Sequence, residues 1–357
     1  MSRRGRRVSG SGRRRTVSVT VVVVFAICAS ALLPLAVALL GLVDLVRLRP
    51  RLPLARLFLF GLCWAWLEVL GVAAATGLWL MRRAGDVDAH YSLQAWWADK
   101  LMASLRITCG LTPEVSGVDR IRPGPTVLLV RHASLADSLL TAWVITARAG
   151  LRPRIVMKRE LLVDPCLDIV GNRLPNCFVD RSAADSGPEL RSIAEMAVGL
   201  DTGDVAVLFP EGTRVNAAKR RRSLDSIARS DADRAARLED LQHLLPPRPG
   251  GAAALLAAAP KAEVCVGWHV GFEGLDTFPG IIAALGRRRT PVRMRFERLA
   301  RPGAASADGG SAEMGSGDMG FGGGAAGSEA EFLRWLDGVW LELDREVDHL
   351  LSTEAGR

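Results

Sequence analysis

Hydrophobic positions form two long runs near the N-terminus and only short runs after them. The first run covers residues 17–46, with Pro34 and Asp44 as its main interruptions, and exceeds the roughly 20 residues that cross a bilayer as a helix. The second run, residues 57–80, contains Glu68, a residue that is costly at the centre of a bilayer. We favour two spans with both outer flanks in the cytoplasm, and a shallow re-entrant hairpin is the alternative.

Short β-like runs then alternate with helical stretches. The β-like runs are residues 126–130, 154–157, 177–179, 205–209, 264–270 and 292–296. Such alternation predicts an α/β fold with a mostly parallel sheet wrapped by helices, preceded by an N-terminal hydrophobic two-helix membrane hairpin. Residues 90–111 carry leucines and tryptophans at helical spacing, which predicts an amphipathic helix that packs on the core or on a membrane surface.

These patterns divide the chain into five regions. They are a basic disordered arm at residues 1–16, a two-helix membrane anchor at 17–83, an α/β domain at 84–299, a Gly-rich linker at 300–328 and a C-terminal amphipathic helix at 329–357. The linker is dominated by Gly, Ala and Ser, which bury too little apolar surface to order themselves. The last helix has one apolar face, for which docking on the α/β domain is favoured over lipid contact.

Charge and cysteine usage narrow the class of protein. The 357-residue chain has a net charge of +8, with arginines clustered beside the apolar runs, which favours an anionic membrane surface over nucleic acid as the partner. Its six cysteines are scattered without a CxxC pair, so we expect reduced thiols and neither a disulfide framework nor a metal site. We assign no ligand role to His243 and His269, because neither has a partner at ligand spacing.

Candidate chemistry begins at the end of the run at residues 126–130. This run delivers His132 to a strand-to-helix junction, and Asp137 follows five residues later. Ligands bind at such junctions in open α/β sheets, and an imidazole there is a candidate general base. Ser134 and Asp137 also fit a capping box at the start of a helix, so a structural cap is the alternative interpretation of the aspartate.

Two further β-like runs end in charged residues. Asp180 and Arg181 follow one of them, and Glu211 and Arg214 lie in the turn that follows another. The ends of parallel strands meet at one edge of a sheet, and the planar guanidinium of arginine suits a phosphate group. The sequence therefore predicts a site that combines a base, a carboxylate and two guanidinium groups.

Three of these segments resemble motifs of the glycerolipid acyltransferases. Residues 132–137, HASLAD, resemble the HX4D motif of that family, residues 209–214 match its FPEGTR motif, and residues 178–181, FVDR, resemble its arginine-bearing substrate motif. The resemblance covers roughly residues 94–270, and its nearest branch is the lysophosphatidic acid acyltransferases. The last motif departs from the family pattern, because VCVGWHV at residues 264–270 lacks the proline that commonly precedes it.

The resemblance implies a direct transfer without a covalent acyl-enzyme. His132 would act as general base on the hydroxyl of the acceptor, and Asp137 would orient the imidazole and stabilise its charged form. The substrate-binding residues that the resemblance implies are Arg181, Glu211, Gly212, Thr213 and Arg214.

Two of the binding assignments have structural alternatives. Glu211 and Arg214 could form a mutual salt bridge that shapes their turn. Lys158 ends the β-like run after His132 and is a candidate for the phosphates of the acceptor or of coenzyme A, with a solvated lysine at a strand end as the alternative.

The implied enzyme is a 1-acylglycerol-3-phosphate O-acyltransferase of phospholipid biosynthesis. It would take the acyl chain from acyl-CoA or acyl-carrier protein, transfer it to lysophosphatidic acid among the membrane lipids, and need no cofactor beyond the donor. We expect an integral protein of the cell membrane whose catalytic domain faces the cytoplasm. The alternatives are an acyltransferase for another lysolipid, such as a lyso-ornithine lipid or a lysophospholipid, and an inactive membrane-anchored lipid-binding protein.

Overall fold

A seven-stranded sheet forms the centre of the α/β domain. The structure, a computed structural model, describes residues 11–121, 124–180, 187–287, 291–302 and 325–355. The strands are β1 (Glu114–Ser116), β2 (Thr126–Val130), β3 (Arg152–Lys158), β4 (Cys177–Val179), β5 (Asp204–Leu208), β6 (Glu263–Val270) and β7 (Arg293–Leu299). They lie in the order β1-β7-β6-β2-β5-β3-β4. Only β6 and β7 pair in antiparallel fashion among the paired strands described, which confirms the predicted mostly parallel sheet.

Helices cover both faces of this sheet and precede it. The helices are α1 (Ser11–Ala31), α2 (Leu33–Val46), α3 (Pro53–Leu80), α4 (Val87–Cys109), α5 (Asp137–Trp143), α6 (Gly187–Ala197), α7 (Ala217–Ala228), α8 (Ala232–Arg237), α9 (Pro249–Ala258), α10 (Phe278–Gly286) and α11 (Ala325–Ala355). Val127 and Leu129 of β2 point into the apolar layer that α6, α9 and α11 cover. Leu128 and Val130 point into the opposite layer, under α4, α5 and α10. Strand β2 is therefore buried on both faces, as expected for a central parallel strand.

The N-terminal helices form a hairpin whose first limb is kinked. The predicted single helix at residues 17–46 is divided into α1 and α2 beside Pro34, whose missing N–H and bulky ring interrupt the helical hydrogen bonds. Asp44 closes the hairpin, because its carboxylate accepts the N–H groups of Leu54 at 2.8 Å and Ala55 at 3.3 Å at the start of α3. Two helices, α1 and α3, are long and apolar enough to cross a membrane, by length and composition.

Helix α1 begins at Ser11, inside the arm that the sequence predicted to be disordered up to residue 16. The prediction is wrong for residues 11–16, because their arginines find a buried acidic partner. Arg14 donates two hydrogen bonds of 2.9 Å to the carboxylate of Asp168, and Arg15 donates to the carbonyl and carboxylate of the same residue. Residues 1–10 lie outside the described part of the chain.

Glu68 of α3 fastens the hairpin to the α/β domain. Its carboxylate accepts the indole N–H of Trp97 at 3.0 Å and the backbone N–H of Cys166 at 2.9 Å. One turn further along α3, a Cβ atom at Gly71 would lie only 2.4 Å from the sulfur of Cys166, so glycine permits the close approach. The glutamate that the sequence marked as costly in a membrane is therefore buried against the domain.

Contacts between α3 and the domain extend along most of the helix. Arg56 donates to the carbonyl of Thr108 at 2.8 Å, and Arg173 donates to the carbonyl of Ala75 at 3.1 Å. The helix rises about 28 Å between these two contacts. One face of α3 is therefore covered by the α/β domain over this length.

Helix α11 docks on the face of the sheet opposite the hairpin. Leu336, Trp340, Leu343 and Val347 are buried in the apolar layer beside α9 and β6. The helix begins four residues before the predicted boundary at residue 329. Most of the predicted Gly-rich linker, residues 303–324, lies outside the described part of the chain.

Candidate active site

The ends of β2 and β6 lie side by side at the carboxyl edge of the sheet. Val130 is in register with Gly267, so His132 and His269, two positions further along each strand, lie level and on the same side. Asp137, the first residue of α5, lies between the two rings. Its Oδ2 atom is 3.0 Å from Nδ1 of His132, and its Oδ1 atom is 3.2 Å from Nε2 of His269.

The carboxylate of Asp137 also organises the turn that precedes α5. Its Oδ2 atom accepts the backbone N–H groups of Ala133 at 2.6 Å and Ser134 at 2.8 Å, and its Oδ1 atom accepts the hydroxyl of Ser134. Ser134 is not the N-cap residue, because α5 starts at Asp137 itself after Ala136. The hydrogen bond of the predicted capping box from the Ser134 N–H to Asp137 is nevertheless formed, and the Ser134 hydroxyl accepts the N–H of Ala136 at 3.1 Å. The aspartate therefore fixes both the turn and the imidazole.

The surroundings of Asp137 keep it charged. Burial alone would raise the pKa of this carboxyl, but the charge of His269 and the hydrogen bond from His132 hold that pKa well below its ordinary value. A charged carboxylate favours a proton on Nδ1 of His132, which leaves Nε2 as the basic nitrogen. The His132 side chain is 15% exposed, and its ring packs against Phe209 with centroids 4.9 Å apart.

Glu211 supports His132 from the neighbouring turn. Its Oε1 atom accepts the backbone N–H of His132 at 2.7 Å, and its Oε2 atom accepts the backbone N–H of Leu245 at 3.0 Å. Burial raises the pKa of this carboxyl to about 8, although both amides and the charge of Arg131 act in the opposite direction. With 2% of its surface exposed and both oxygens engaged, Glu211 holds backbone rather than facing a substrate.

The remaining residues of the FPEGTR turn lie nearer the solvent. Gly212 has a φ of +72°, a conformation that glycine adopts without steric cost. Lys219 donates to the carbonyl of Arg214 at 2.9 Å and approaches the hydroxyl of Thr213 at 3.4 Å. The alternative of a salt bridge between Glu211 and Arg214 is wrong, because the carboxylate is buried among amides. The guanidinium of Arg214 is half-buried and forms no ion pair with any described residue.

The other predicted binding residues lie further along the same edge. Strand β4 is separated from β2 by β5 and β3, which places its end about 14 Å away at ~4.8 Å per strand. Lys158 ends β3, and Asp180 follows β4 with its carboxylate 3.9 Å from Arg159. Arg181 lies outside the described residues, so its phosphate-binding role stays a prediction.

An apolar cavity of about 340 Å³ opens beside the His132 loop. Leu135 and Leu139, on either side of Asp137, form one of its walls. Leu57 and Phe60 of α3 and Trp97 of α4 form the opposite wall. The hairpin therefore covers an apolar space that extends to the loop between His132 and α5.

The part of the chain that contains this site is similar to known proteins. Residues 112–265, which include the HASLAD and FPEGTR segments, match the acyltransferase family model. The match identifies these residues as an acyltransferase domain. No curated protein matches the chain. Among solved structures, the chain is similar to the 1-acyl-sn-glycerophosphate (LPA) acyltransferase PlsC from Thermotoga maritima, with 15% identity, a TM-score of 0.45, and coverage of 79% of this chain and 95% of that chain.

The sequence analysis gave no role to two residues that the structure places beside His132 and Asp137. His269 was left without a partner, although it ends a β-like run as His132 does, and only the β2–β6 register reveals its neighbour Asp137. Arg131 is 1% exposed and donates to the carbonyls of His269 and, at 3.3 Å, His243. In the part of the chain that the structure describes, no group of three or more side chains is arranged to hold a metal ion.

Proposed function

We propose that this acyltransferase acylates the free hydroxyl of 1-acyl-sn-glycerol 3-phosphate and produces phosphatidic acid, with His132 as general base. The observation that carries the proposal is the position of Nε2 of His132. Its ring is held by charged Asp137 through Nδ1, and Leu135 and Ala136 of the loop that follows His132 line an apolar cavity. A base beside an apolar cavity suits a reaction between a hydroxyl and a fatty acyl thioester.

In the proposed reaction, Nε2 of His132 takes the hydroxyl proton as the oxygen attacks the thioester carbonyl. The tetrahedral intermediate collapses and breaks the carbon–sulfur bond, and the thiolate leaves with the proton from the imidazolium. Asp137 stabilises the transient positive charge on the ring, as in other His–Asp pairs. General-base assistance of this kind contributes roughly 10²–10⁴ in rate. The donor, acyl-CoA or acyl-carrier protein, supplies the only group transferred, and no further cofactor takes part.

We further propose that the enzyme sits in the cell membrane with its catalytic domain in the cytoplasm. Large apolar side chains on the outer face of the hairpin are exposed, including Val17, Val21, Ile27, Leu35, Leu39 and Leu42. A lipid phase is the environment that such a surface requires. Because α3 also forms a wall of the cavity, a shallowly inserted hairpin would let an acyl chain enter without crossing water.

The acceptor's phosphate is assigned to Arg214, with the undescribed Arg181 as its predicted companion. Arg214 lies in the same turn as Glu211, next to the loop of His132, and its guanidinium is not used by another described side chain. A phosphate monoester carries up to two charges and can accept a bidentate bond from a guanidinium. Lysophosphatidic acid presents this group, whereas zwitterionic lysophospholipids present a phosphodiester.

A second candidate acceptor, a lyso-ornithine lipid, is favoured by one observation. A cavity of about 330 Å³ on the other side of Gly212 is lined by Arg248, Asp180 and Glu189. A guanidinium with two carboxylates suits a head group that carries both a carboxylate and an ammonium group. The two acceptors can be distinguished directly by offering both to the enzyme.

The test is acyl transfer by the full-length protein in lipid nanodiscs, with a labelled acyl thioester and a panel of lysolipids. We expect phosphatidic acid as the main product and a loss of at least about 100-fold in kcat for His132→Ala, because the general base is removed. The control His349→Ala replaces an exposed histidine of α11 and should leave kcat unchanged. Activity of His132→Ala above a tenth of wild type would refute the base, and preference for the lyso-ornithine lipid would change the acceptor.

A further inference from the structure

One carboxylate of the C-terminal helix α11 binds a segment of the chain that leads to the catalytic centre. Asp344 is 4% exposed, and its oxygens accept three consecutive backbone N–H groups, from Gln242 at 2.8 Å, His243 at 2.7 Å and Leu244 at 2.7 Å. Three amides that converge on one buried carboxylate fix the path of the chain at this point.

The next residue along this segment continues toward His132. Leu245 donates its N–H to Glu211 at 3.0 Å, and Glu211 accepts the N–H of His132 at 2.7 Å with its other oxygen. In addition, the carbonyl of His243 accepts from Arg131, the residue before His132. Two hydrogen-bonded routes thus connect the segment at residues 242–245 to the backbone of the proposed base.

A second carboxylate of α11 holds the end of the same segment. Asp337 forms a two-pronged ion pair with the buried Arg234, and Arg234 donates to the carbonyl of Pro247 at 2.8 Å. Asp337 and Asp344 are seven residues apart and so lie on one face of the helix, two turns from each other. Both lie outside the residues that match the acyltransferase family, 112–265.

We propose that Asp344 is a positioning residue for acyl transfer, through which α11 clamps residues 242–245 so that Leu245 holds Glu211 and Glu211 holds His132. This inference rests on the proposed base role of His132 and extends it to a helix beyond the matched domain. The clamp acts on geometry alone, because Asp344 touches neither the imidazole nor the cavity. Releasing it lets Glu211 and the backbone at His132 shift, and displacements of about 1 Å can cost up to 100-fold in rate.

The first test compares Asp344→Asn with Asp348→Asn in the full-length protein in nanodiscs. Asp348 lies one turn further along α11 and contacts only the His243 side chain among the described residues, at 3.0 Å, so its variant is the matched control. We expect kcat to fall about five- to tenfold for Asp344→Asn, no more than the loss expected for Glu211→Gln, with KM for both substrates unchanged. Hydrogen exchange of the amides at residues 242–245 should accelerate in this variant alone. Wild-type kcat with accelerated exchange would overturn the proposal.

The second test asks whether Asp344 acts through Glu211. In a Glu211→Gln background the route through Glu211, which the proposal invokes, is already broken, so adding Asp344→Asn should lower kcat by less than about twofold. Multiplication of the two separate losses would overturn the proposal. If Asp344→Asn does not fold, Asp344→Glu replaces it, since it keeps the charge and moves the carboxylate by one methylene. The kcat of Asp344→Glu should then fall at least about fivefold, and an unchanged kcat would contradict the proposal.

The outcomes separate this inference from the proposed function. If His132→Ala is inactive while both Asp344 variants match wild type, the base stands and the clamp fails. If His132→Ala stays active, the base itself fails, and any loss in the Asp344 variants has another cause.

Discussion

The loops that follow β2 and β5 each place one buried carboxylate beside His132, and the two carboxylates have opposite properties. Asp137 contacts the imidazole of His132, whereas Glu211 contacts only the backbone of that residue. Asp137 has a pKa held well below its ordinary value by His269 and His132. Burial raises the pKa of Glu211 to about 8.

The difference shows that partners, rather than burial, decide what each carboxylate does. Both residues are almost fully buried, so the desolvation that opposes their charge is similar. Asp137 is surrounded by two rings that can carry positive charge, and it can stabilise an imidazolium during reaction. Glu211 accepts two neutral amides with its two oxygens, and it can hold geometry with or without its charge. The two loops are thus the electrostatic and the positional halves of one site.

The sharpest way to break this comparison is to remove both charges by isosteric substitution. We expect Asp137→Asn to lower kcat by about 10³, because an amide supports the wrong tautomer of His132 and cannot stabilise the imidazolium. Glu211→Gln keeps the shape and one acceptor oxygen, so its kcat should fall only about tenfold. Steady-state kinetics with saturating acyl thioester measure both values.

The pair of variants carries its own control. Folding is checked by circular dichroism and thermal unfolding, so that each kcat refers to folded protein. Equal losses of kcat for Asp137→Asn and Glu211→Gln would contradict the division into electrostatic and positional roles, as would a larger loss for the glutamine variant.

Arg214 lies in the solvent-facing part of the turn that follows β5, whereas Glu211 lies in its buried part. Replacing it by lysine keeps the charge but removes the planar fork, so KM for lysophosphatidic acid should rise about 10- to 100-fold, the value of a lost charged hydrogen bond. The kcat value should change little, in contrast to the Glu211 variant. Kinetics with lysophosphatidic acid at varied concentration provide the measurement.

The control for this substitution is Arg222→Lys, an exposed arginine of α7, the helix that follows this turn. An unchanged KM in Arg214→Lys, or the same rise in Arg222→Lys, would contradict the assignment of the acceptor's phosphate to Arg214.

The sequence predicted the residues that follow β2, His132 and Asp137, better than it predicted the residues that hold them in place. HASLAD and FPEGTR are local motifs, and the strands before them are short apolar runs, so His132, Asp137 and the turn at residue 211 could be placed in the fold directly. Strand order cannot be derived from such runs. The pairing of β2 with β6, and with it the contact between His269 and Asp137, became visible only in the structure.

The roles of Glu211 and α3 could not be predicted from the local sequence pattern either, because their partners come from distant segments of the chain. One partner of Glu211 is Leu245, 34 residues away in the segment between β5 and β6, whose apolar and polar positions follow no simple period. Glu68 looked like a residue in a membrane, because its partners Trp97 and Cys166 come from two other segments. The amphipathic pattern of α11 predicted its docking face, and the carboxylates on the same helix carried no sign of what they would bind.

The contribution of His269 to the site can be separated from that of Asp137. Its ring is fully buried and contributes one of several partners of Asp137, beside two backbone amides, the Ser134 hydroxyl and His132. Replacement by glutamine should therefore lower kcat about tenfold, less than Asp137→Asn, because Asp137 keeps its other partners. Steady-state kinetics of His269→Gln and wild type at saturating acyl thioester measure the loss. A loss as large as that of Asp137→Asn would make His269 an equal member of the site.

The smallest expected effect concerns stability, and it follows from the raised pKa of Glu211. Its pKa is about 8 in the folded protein against an ordinary value of 4.5, so the folded state binds the proton more tightly than the unfolded state does. The contribution to stability is complete below about pH 4.5 and is lost as pH rises through 8, at up to about 1.4 kcal/mol per pH unit. Thermal unfolding of wild type should therefore shift to lower temperature between pH 5 and 8 by a few degrees. In Glu211→Gln this part of the shift should disappear, while Glu239→Gln, at an exposed position, should retain it. The same slope in all three proteins would show that Glu211 remains charged throughout, and the contrast with Asp137 would then lie only in what the two carboxylates touch.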